Sequence, residues 1–301
     1  MPGRVRTSRG VGAAAVFAVL FCAGATLSAQ TSPGGTLFVV GGGPQPPALV
    51  EEFVRLAGGR GKAKIAVMAM ASSGGLAGGT EKAADLRALG ASASNIWLTH
   101  TQALTDSAAR LLDGVTGIWF GGGDQVRLAD VLRGTPTLHA IRARFAAGAV
   151  VGGTSAGAAV LSTPMITGDE RRPGGDRPPA DSSDAWLTID RDDVITADGF
   201  DFITNAIVDQ HFVRRKRHNR LLSLVLERRQ RLGVGIDEST ALVIGPDGMW
   251  RVLGASVVVI YDARASSIAP TPGRLGATNV RMHILPAGSR FDPRDGAAVL
   301  P

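Results

Sequence analysis

The amino-acid sequence predicts an α/β protein with a mostly parallel central sheet and helices on both of its faces. Short apolar runs alternate with segments of helical character, which is the pattern of strand–helix–strand units. The runs are apolar throughout, as expected for strands that are covered on both sides. Glycine-rich loops follow three of the runs, at 41–43, 121–123 and 152–153. In such sheets the ligand lies beyond the carboxyl ends of the strands, so these loops mark the expected site.

The predicted elements follow one another along most of the chain. We expect strands at 36–43, 64–70, 95–100, 117–124 and 149–155, with helices at 47–58, 80–89 and 136–147. Further on, we expect a strand at 202–212, a helix at 213–230, and closing strands at 233–245, 250–261 and 280–285. The segment 286–293 is expected to be an edge strand or a tail. No internal repeat is visible.

One segment, 162–200, interrupts this alternation. It contains the polar stretch DERRPGGDRPPADSSD, which is rich in proline and glycine. Such a composition predicts a loop or a mobile flap, here an insertion in the domain. Because it follows the third glycine-rich loop closely, the flap is expected to lie over the site.

The first 29 residues have the pattern of a secretory signal peptide. Arg4, Arg6 and Arg9 form a basic leader, residues 11–25 are apolar and uncharged, and Leu27-Ser28-Ala29 offers a cleavage site. The alternative is an uncleaved membrane anchor, although the apolar run is short for a membrane span. We therefore expect a secreted or periplasmic protein with a single domain at 30–301 and no membrane contact after cleavage.

Composition excludes several classes of function. The chain has 301 residues, of which 45% are hydrophobic and 19% charged, as in globular proteins. Its one cysteine, Cys22, lies in the leader, so the mature chain would have neither disulfides nor thiolate chemistry. Cleavage would remove three arginines and leave 29 basic against 26 acidic residues, a charge of +3. Nucleic acid is not an expected partner, and no zinc-ligand spacing is present, so neither a metal nor a cofactor is expected.

The stretch VVGGTSAGAAV contains the motif G-x-S-x-G at 153–157. Glycines tolerate a sharp strand-to-helix bend, which would expose the hydroxyl of Ser155 at the top of the sheet. The amide of Ala156, at the start of the following helix, would be one oxyanion donor. The second donor would come from the 121–123 loop, at Gly122 or Gly123, because a neighbouring strand end brings that backbone close.

A nucleophilic serine requires a base, and the chain has five histidines. His211 is favoured because it ends a predicted strand in the sequence VDQHF, where active-site residues collect. His100 ends another predicted strand without an acidic neighbour. The remaining three are expected to be structural or on the surface: His139, His218 and His283.

The base requires an acid to orient it, and Asp237 and Glu238 are the candidates. Adjacent residues on a strand point to opposite faces, so only one of the two can face the imidazole. The residues themselves do not decide which. The alternative is that both cap a turn into the next strand.

Four motifs, in this order, resemble the cyanophycinases: FGGGDQ, GGTSAG, DQHFVRRKRHNR and GIDESTAL. The same serine peptidase family contains the aspartyl dipeptidases called peptidase E, and the resemblance covers nearly the whole mature chain. It implies a three-layer α/β sandwich similar to class I glutamine amidotransferases, with serine in place of their cysteine. It also implies that Ser155 is the nucleophile, His211 the base and Glu238 the acid.

The resemblance further implies a substrate and the side chains that bind it. Cyanophycin is a poly-aspartate chain with arginine joined to each side-chain carboxyl, and cyanophycinases release β-aspartyl-arginine dipeptides from it. The planar guanidinium of an arginine can donate two parallel hydrogen bonds to a carboxylate of this substrate. The matching side chains are Gln125, Asp209, Gln210, Arg215 and Arg220, with Asp124 and Asp209 expected to hold the loops. The other basic residues of this segment are expected to be solvated: Arg214, Lys216 and Arg217.

The function that the sequence predicts is thus a secreted cyanophycinase-like serine peptidase that acts on an Asp/Arg-rich polymer. One alternative is an α-aspartyl dipeptidase of the same family, and another is a catalytically silent protein that binds a carboxylate-rich ligand. A glutaminase is disfavoured because the strand-to-helix bend carries a serine, where class I glutamine amidotransferases carry a cysteine. The export signal is unusual for an enzyme that mobilises an intracellular store, so an exported member would scavenge polymer released by other cells. A homodimer is an open possibility.

Overall fold

The computed structural model describes residues 34–170, 189–228, 232–270 and 272–301, together with Met1 and Gly3. The chain divides into a unit at Met1–Thr31 and a compact unit at Ser32–Pro301. The signal peptide predicted at 1–29 lies almost wholly outside the described residues. Within those residues, no helix is both long and apolar enough to cross a bilayer.

The strands of the described residues are these, in chain order: β1 Thr36–Val40, β2 Lys64–Met68, β3 Ser92–Asn95, β4 Gly117–Phe120, β5 Val150–Thr154, β6 Met165–Glu170, β7 Val194–Ala197, β8 Ile207–Gln210, β9 Leu232–Ile236, β10 Thr240–Ile244, β11 Trp250–Gly254, β12 Val257–Asp262, β13 Ser267–Ile268, β14 Ala277–Thr278, β15 Arg281–Pro286, β16 Arg290–Asp292 and β17 Ala297–Val299. The helices are these: α1 Pro47–Leu56, α2 Leu76–Ala88, α3 His100–Ala103, α4 Asp106–Arg110, α5 Gln125–Leu132, α6 Pro136–Ala146, α7 Ala156–Ala159 and α8 His218–Glu227.

The central sheet has the order β17-β16-β11-β10-β1-β5-β4-β2-β3. Its strands β1 to β5 are parallel to one another, and four antiparallel strands extend it beyond β1. The carboxyl ends of β1, β5, β4 and β2 therefore lie side by side along one edge. The predicted α/β architecture is confirmed. The segment at 286–293 contributes β16, which lies one strand in from the edge strand β17 and so is neither an edge strand nor a tail.

Helices cover both faces of this sheet. On one face, α1 and α2 pack over an apolar cluster in which Phe38, Phe53 and Trp119 make edge contacts. On the other face, helices α3 to α7 enclose a larger cluster that includes Phe120 and Ile141. All four residues of β4 are buried, and Trp119 and Phe120 point to opposite faces, as expected for a strand that is covered on both sides.

A second sheet has the order β15-β12-β9-β8. Its strands β8 and β9 are parallel, whereas the β9–β12 and β12–β15 pairs are antiparallel. Helix α8 packs against it through Leu221, Leu224 and Val225, which are fully buried. The carboxyl end of β8 is thereby held next to the central sheet, where the backbone amide of His211 donates to the Gly41 carbonyl at 2.6 Å.

Five further sequence-based expectations are corrected by the structure. The strand predicted at 95–100 is wrong, because β3 ends at Asn95 and Thr99 forms a capping box that starts α3 at His100. The helix predicted from 213 begins only at His218. The strands predicted at 233–245 and 250–261 are each two strands that belong to different sheets, β9 and β10 in the first case and β11 and β12 in the second. The predicted loop at 162–200 contains the paired strands β6 and β7, and its residues 171–188 lie outside the described part of the chain.

Candidate active site

Ser155 lies on the bend between β5 and α7, with a backbone φ of +54°. This left-handed conformation is unfavourable for a residue other than glycine and is maintained by the packing around it. A side chain at Gly153 would overlap the carbonyl of Gly157, and one at Gly157 would overlap the carbonyl of Phe120. The glycines on both sides of the serine are therefore required by close backbone packing.

His211 follows β8 and brings its imidazole to the serine. Its Nε2 is 2.9 Å from Ser155 Oγ, and its Nδ1 is 2.6 Å from Glu238 Oε1. With the proton on Nδ1, the imidazole donates to the carboxylate and accepts from the serine hydroxyl. The three side chains come from positions 56 and 27 residues apart and form one continuous hydrogen-bonded series.

Gly42 and Gly43, after β1, leave the space that this series occupies. A Cβ at Gly42 would overlap the His211 ring, and one at Gly43 would lie 2.8 Å from Glu238 Oε2. Both glycines have positive φ values, +111° and +67°. The sequence marks this loop only as a glycine run after a strand, and its contact with the imidazole and the carboxylate appears first in the structure.

Asp237 and Glu238 lie in the connection between β9 and β10 and have separate contacts. Asp237 accepts hydrogen bonds from the backbone amides of Val213 and Arg214 at 3.1 and 2.9 Å, and from the Ser256 hydroxyl at 2.7 Å. The geometry shows which of the two acids faces the imidazole, and the catalytic role of that acid stays a prediction. Glu238 contacts the imidazole, whereas Asp237 holds the turn that follows His211.

The environment of His211 lowers the pKa of its imidazole below the usual value of 6.5. Burial is the largest cause, because it disfavours the charged form. The hydrogen bond to Glu238 opposes this shift, whereas the positive charges of Arg215 and Arg217 add to it. The imidazole is therefore neutral near pH 7, as a proton acceptor for a serine must be.

Two of the three predicted oxyanion positions, Gly122 and Ala156, adjoin Ser155. A Cβ at Gly122 would be 3.4 Å from the Cβ of Ser155, so the 121–123 loop adjoins the serine directly. Gly123 has a φ of +133°, and a side chain there would overlap the carbonyl of Ala71. Ala156 begins α7, where a backbone amide has no intrahelical partner. Their donor role stays a prediction.

Asp209 and Arg220, both predicted to bind substrate, are paired with each other in the interior. Arg220 Nε donates to Asp209 Oδ2 at 2.7 Å, and Nη2 donates to Oδ1. The side chains are only 1% and 2% exposed, respectively. A carboxylate and a guanidinium joined by two hydrogen bonds in this way fix α8 to the end of β8.

Arg217 is buried, so the expectation that it is a solvated surface charge is wrong. Its Nη1 donates to the backbone and side-chain oxygens of Gln210 at 2.9 and 2.6 Å, and lies 3.8 Å from Asp209. Arg215 is half-buried and precedes α8 instead of lying on it, because Lys216 adopts a φ of +53° that interrupts helical geometry.

Two further predicted residues have local roles in the structure. Gln125 is buried, and its Nε2 donates to the carbonyls of Ile166 and Thr167 at 2.9 and 2.6 Å. It thereby connects α5 to β6. Asp124 caps α5 by accepting hydrogen bonds from Val126 and Arg127, as expected for a residue that holds the loop.

The remaining side chains of the basic segment differ in their exposure. Arg214 and Lys216 are exposed, as predicted. His218 is half-buried instead of lying on the surface, and its Nδ1 is 2.7 Å from the Tyr261 hydroxyl. It also makes an edge contact with Phe212.

Comparison with known proteins places this chain in a family. Residues 38–251 match the model of peptidase family S51. Because the match covers more than half of the chain, the chain belongs to peptidase family S51. The resemblance drawn from the four sequence motifs is thus confirmed at the level of the family.

Proteins of known function and structure are also similar to this chain. A cyanophycinase of Trichormus variabilis is 40% identical over 187 residues, which cover 60% of this chain and 58% of that protein. A cyanophycinase of Geminocystis herdmanii is 40% identical over 184 residues, covering 59% and 62%. The chain thus spans about three fifths of the length of these relatives. The crystal structure of a peptidase from an acI-B1 actinobacterium shares the fold, with a TM-score of 0.64, 23% identity and coverage of 87% and 98%.

Proposed function

We propose that this protein is a serine peptidase that hydrolyses cyanophycin to β-aspartyl-arginine dipeptides through an acyl-enzyme. The observation that carries the proposal is the hydrogen-bonded series from Ser155 through His211 to Glu238. The similarity to cyanophycinases supports the choice of substrate.

We further propose that residues 1–29 direct export. N-terminal sequencing of the exported protein tests this, and Gln30 is the expected first residue.

In the proposed mechanism, His211 takes the proton of Ser155 while the hydroxyl oxygen attacks a backbone carbonyl of the substrate. The carbonyl oxygen becomes an oxyanion, which accepts hydrogen bonds from backbone amides at Gly122 or Gly123 and at Ala156. His211 then gives its proton to the leaving amine, and the acyl-enzyme forms. Water, deprotonated by the same imidazole, hydrolyses the ester and restores the serine. Glu238 stabilises the imidazolium in both steps.

Among the side chains predicted to bind substrate, we assign direct contact to Arg215. It is half-exposed, follows His211 by one turn, and is close enough for its charge to lower the imidazole pKa. We assign positioning roles to the buried side chains, which hold β8, α8 and β6 around the site. These are Gln125, Asp209, Gln210 and Arg220.

The pH dependence of kcat/KM follows from the lowered pKa of His211. A lowered pKa means that the base stays neutral, and hence active, down to a lower pH than an unperturbed imidazole would. We therefore expect the acid limb of kcat/KM to lie below pH 6.5, with activity lost as the pH falls through it. Initial rates between pH 4.5 and 9, with circular dichroism at each pH to verify the fold, measure this limb. An acid limb centred above pH 6.5 would contradict the assignment.

Gly42→Ala is expected to reduce kcat by about a hundredfold or more, because a Cβ there overlaps the His211 ring and misplaces the base. The matched control is Gly248→Ala. Gly248 also has a positive φ, +78°, but a Cβ there meets nothing within 4 Å. The control variant should therefore lower the free energy of unfolding through backbone strain while leaving kcat unchanged. Equal rates for the two variants, measured as dipeptide release, would show that Gly42 does not define the position of the imidazole.

Turnover of cyanophycin compared with turnover of Asp-X dipeptides tests the proposed substrate. The proposal predicts hydrolysis of the polymer. Cleavage of the dipeptides alone would identify an α-aspartyl dipeptidase instead. If neither substrate is cleaved but the polymer is bound equally by the native protein and Ser155→Ala, the protein is a binding protein and the proposal fails.

A further inference from the structure

A cavity of about 360 Å³ opens beside Ser155 at the carboxyl edge of the central sheet. Its floor includes Thr154, which precedes the serine, and Gly121 and Gly122 of the loop after β4. Its wall is formed by α2 and by the ring of Trp119. His211 lies over the end of β1, where a Cβ at Gly42 would meet its ring. In the strand order β1-β5-β4-β2, His211 lies over the end of β1, whereas β4 and α2 line the cavity on the other side of the serine. Gln45 and Val50 close the cavity on the side of β1.

The ammonium group of Lys82 lines this cavity. Its Nζ donates to Gln45 Oε1 at 2.5 Å and lies 4.7 Å from the centroid of the Trp119 ring. Within the described residues, Lys82 forms no ion pair, so the hydrogen bond to Gln45 uses one of three donors. Burial lowers the pKa of this ammonium to about 8, whereas the charge of Asp85 opposes that shift. Buried charges are as a rule paired, and a hydrogen bond between an ammonium and an anion is a strong one, so the remaining donors of Lys82 suit an anionic ligand.

Two carboxylates, Glu81 and Asp85, lie at the exposed margin of the same cavity. They flank Lys82 on α2. The cavity thus offers a cation in its interior, an aromatic wall and two anions at its entrance. This distribution complements a group that carries a carboxylate and, several bonds away, a cation.

We propose that this cavity binds the acyl-side residue of the substrate and that Lys82 binds the carboxylate of that residue. The inference rests on the proposed function, in which His211 protonates the leaving amine. The leaving part must then lie on the imidazole side of Ser155, which leaves the cavity side to the acyl part. In a β-aspartyl-arginine unit the carboxylate belongs to the arginine, and its guanidinium reaches Glu81 or Asp85. In an Asp-X dipeptide the carboxylate is the aspartyl side chain.

Two pairs of substrates and three variants test this role of Lys82. The first pair is a soluble oligomer of β-aspartyl-arginine units and the same oligomer with its arginine carboxylates converted to carboxamides. The second pair is an Asp-X dipeptide and its Asn-X counterpart. The variants are Lys82→Met, which removes the charge, Lys82→Arg, which keeps it, and Lys62→Met. Lys62 is an exposed lysine before β2, at the opposite edge of the sheet, and serves as the control.

The native protein is expected to prefer the carboxylate form of one pair by about ten- to a hundredfold in kcat/KM, mainly through KM. The pair that shows the preference identifies the source of the carboxylate. Lys82→Met should abolish the preference, Lys82→Arg should keep part of it, and Lys62→Met should match the native protein. KM for the carboxylate form should also rise above pH 8 in the native protein and not in Lys82→Met. If Lys82→Met kept the native ratio of kcat/KM between the carboxylate form and its amide counterpart, the inference would be overturned.

A binding measurement separates failure of this inference from failure of the proposed function. Calorimetric titration with β-aspartyl-arginine dipeptide compares Ser155→Ala with the double variant Ser155→Ala/Lys82→Met. The double variant is expected to bind about ten- to a hundredfold more weakly. If the native protein hydrolyses neither oligomer, the proposed function fails, and this titration still decides the role of Lys82. Equal affinities, or no binding by either variant, would overturn it.

Discussion

Ser155→Ala is expected to lower the rate of cyanophycin hydrolysis by about 10⁴- to 10⁶-fold, the loss that removal of the nucleophile causes in serine peptidases. The variant removes the hydroxyl 2.9 Å from His211 Nε2 and leaves the rest of the series in place. The release of soluble dipeptide from the polymer measures the rate. Because no other contact of the fold depends on that oxygen in the described residues, the thermal unfolding temperature and the affinity for dipeptide should change little.

Ser107→Ala is the matched control for this variant. Ser107 is an exposed serine of α4 whose hydroxyl bonds locally to Thr105 at 3.0 Å, so its removal should leave the rate unchanged. A Ser155→Ala variant that keeps a tenth or more of the native rate would show that another group performs the attack. The same outcome would remove the basis for assigning His211 as the base.

Arg220→Met is expected to lower the free energy of unfolding by about 3–5 kcal/mol, because it leaves the carboxylate of Asp209 buried without its partner. The two side chains are 2% and 1% exposed, so water cannot replace the lost hydrogen bonds. Chemical denaturation, with the midpoint and slope fitted together, measures the effect. Arg214→Met, at an exposed position of the same segment, should change the free energy of unfolding by less than about 0.5 kcal/mol.

The double variant Arg220→Met/Asp209→Leu separates an internal ion pair from a substrate contact. Removing both charges should be less destabilising than removing the arginine alone, since no buried carboxylate is left without its two hydrogen bonds from Arg220. Arg217, whose Nη1 lies 3.8 Å from Asp209, keeps its hydrogen bonds to Gln210 in the double variant. The backbone amide of Gln210 would still lose its 2.8 Å hydrogen bond to Asp209 Oδ1, so full recovery of the free energy of unfolding is not expected. If Arg220→Met instead unfolds like the native protein and only raises KM, Arg220 binds substrate directly.

Much of the fold could be predicted because its signals are local. The apolar runs at β1, β2, β4 and β5 are unbroken, and the glycines after them occur where the chain turns sharply. The serine bend was visible for the same reason, since Gly153 and Gly157 are needed whatever the fold around them. These features follow from the intrinsic preferences of a few neighbouring residues.

Other features depend on residues that are distant in the sequence. The segment GIDESTAL looks like one strand, but β9 and β10 separate into two sheets at Asp237 and Glu238. That separation gives the two adjacent acids different partners, which alternation along a single strand cannot predict. Likewise, the basic run before α8 shows no internal difference between Arg214, which is exposed, and Arg217, which is buried against Gln210.

The environment of Lys82 was also invisible in the sequence. Its neighbours in α2 are charged or small, as on a solvated helix face. Its burial arises from Gln45, which lies 37 residues earlier, and from Trp119 on β4. Only the packing of α2 against the sheet brings the lysine next to the serine bend, so no local pattern marks it.

The products formed from insoluble cyanophycin, identified by mass, test the central claim most directly. The purified protein should release β-aspartyl-arginine as an intact dipeptide, because attack by Ser155 on a backbone carbonyl leaves the bond between aspartate and arginine uncut. Free arginine would show that a different bond is cleaved. Either that outcome or polymer that stays undigested would contradict the account.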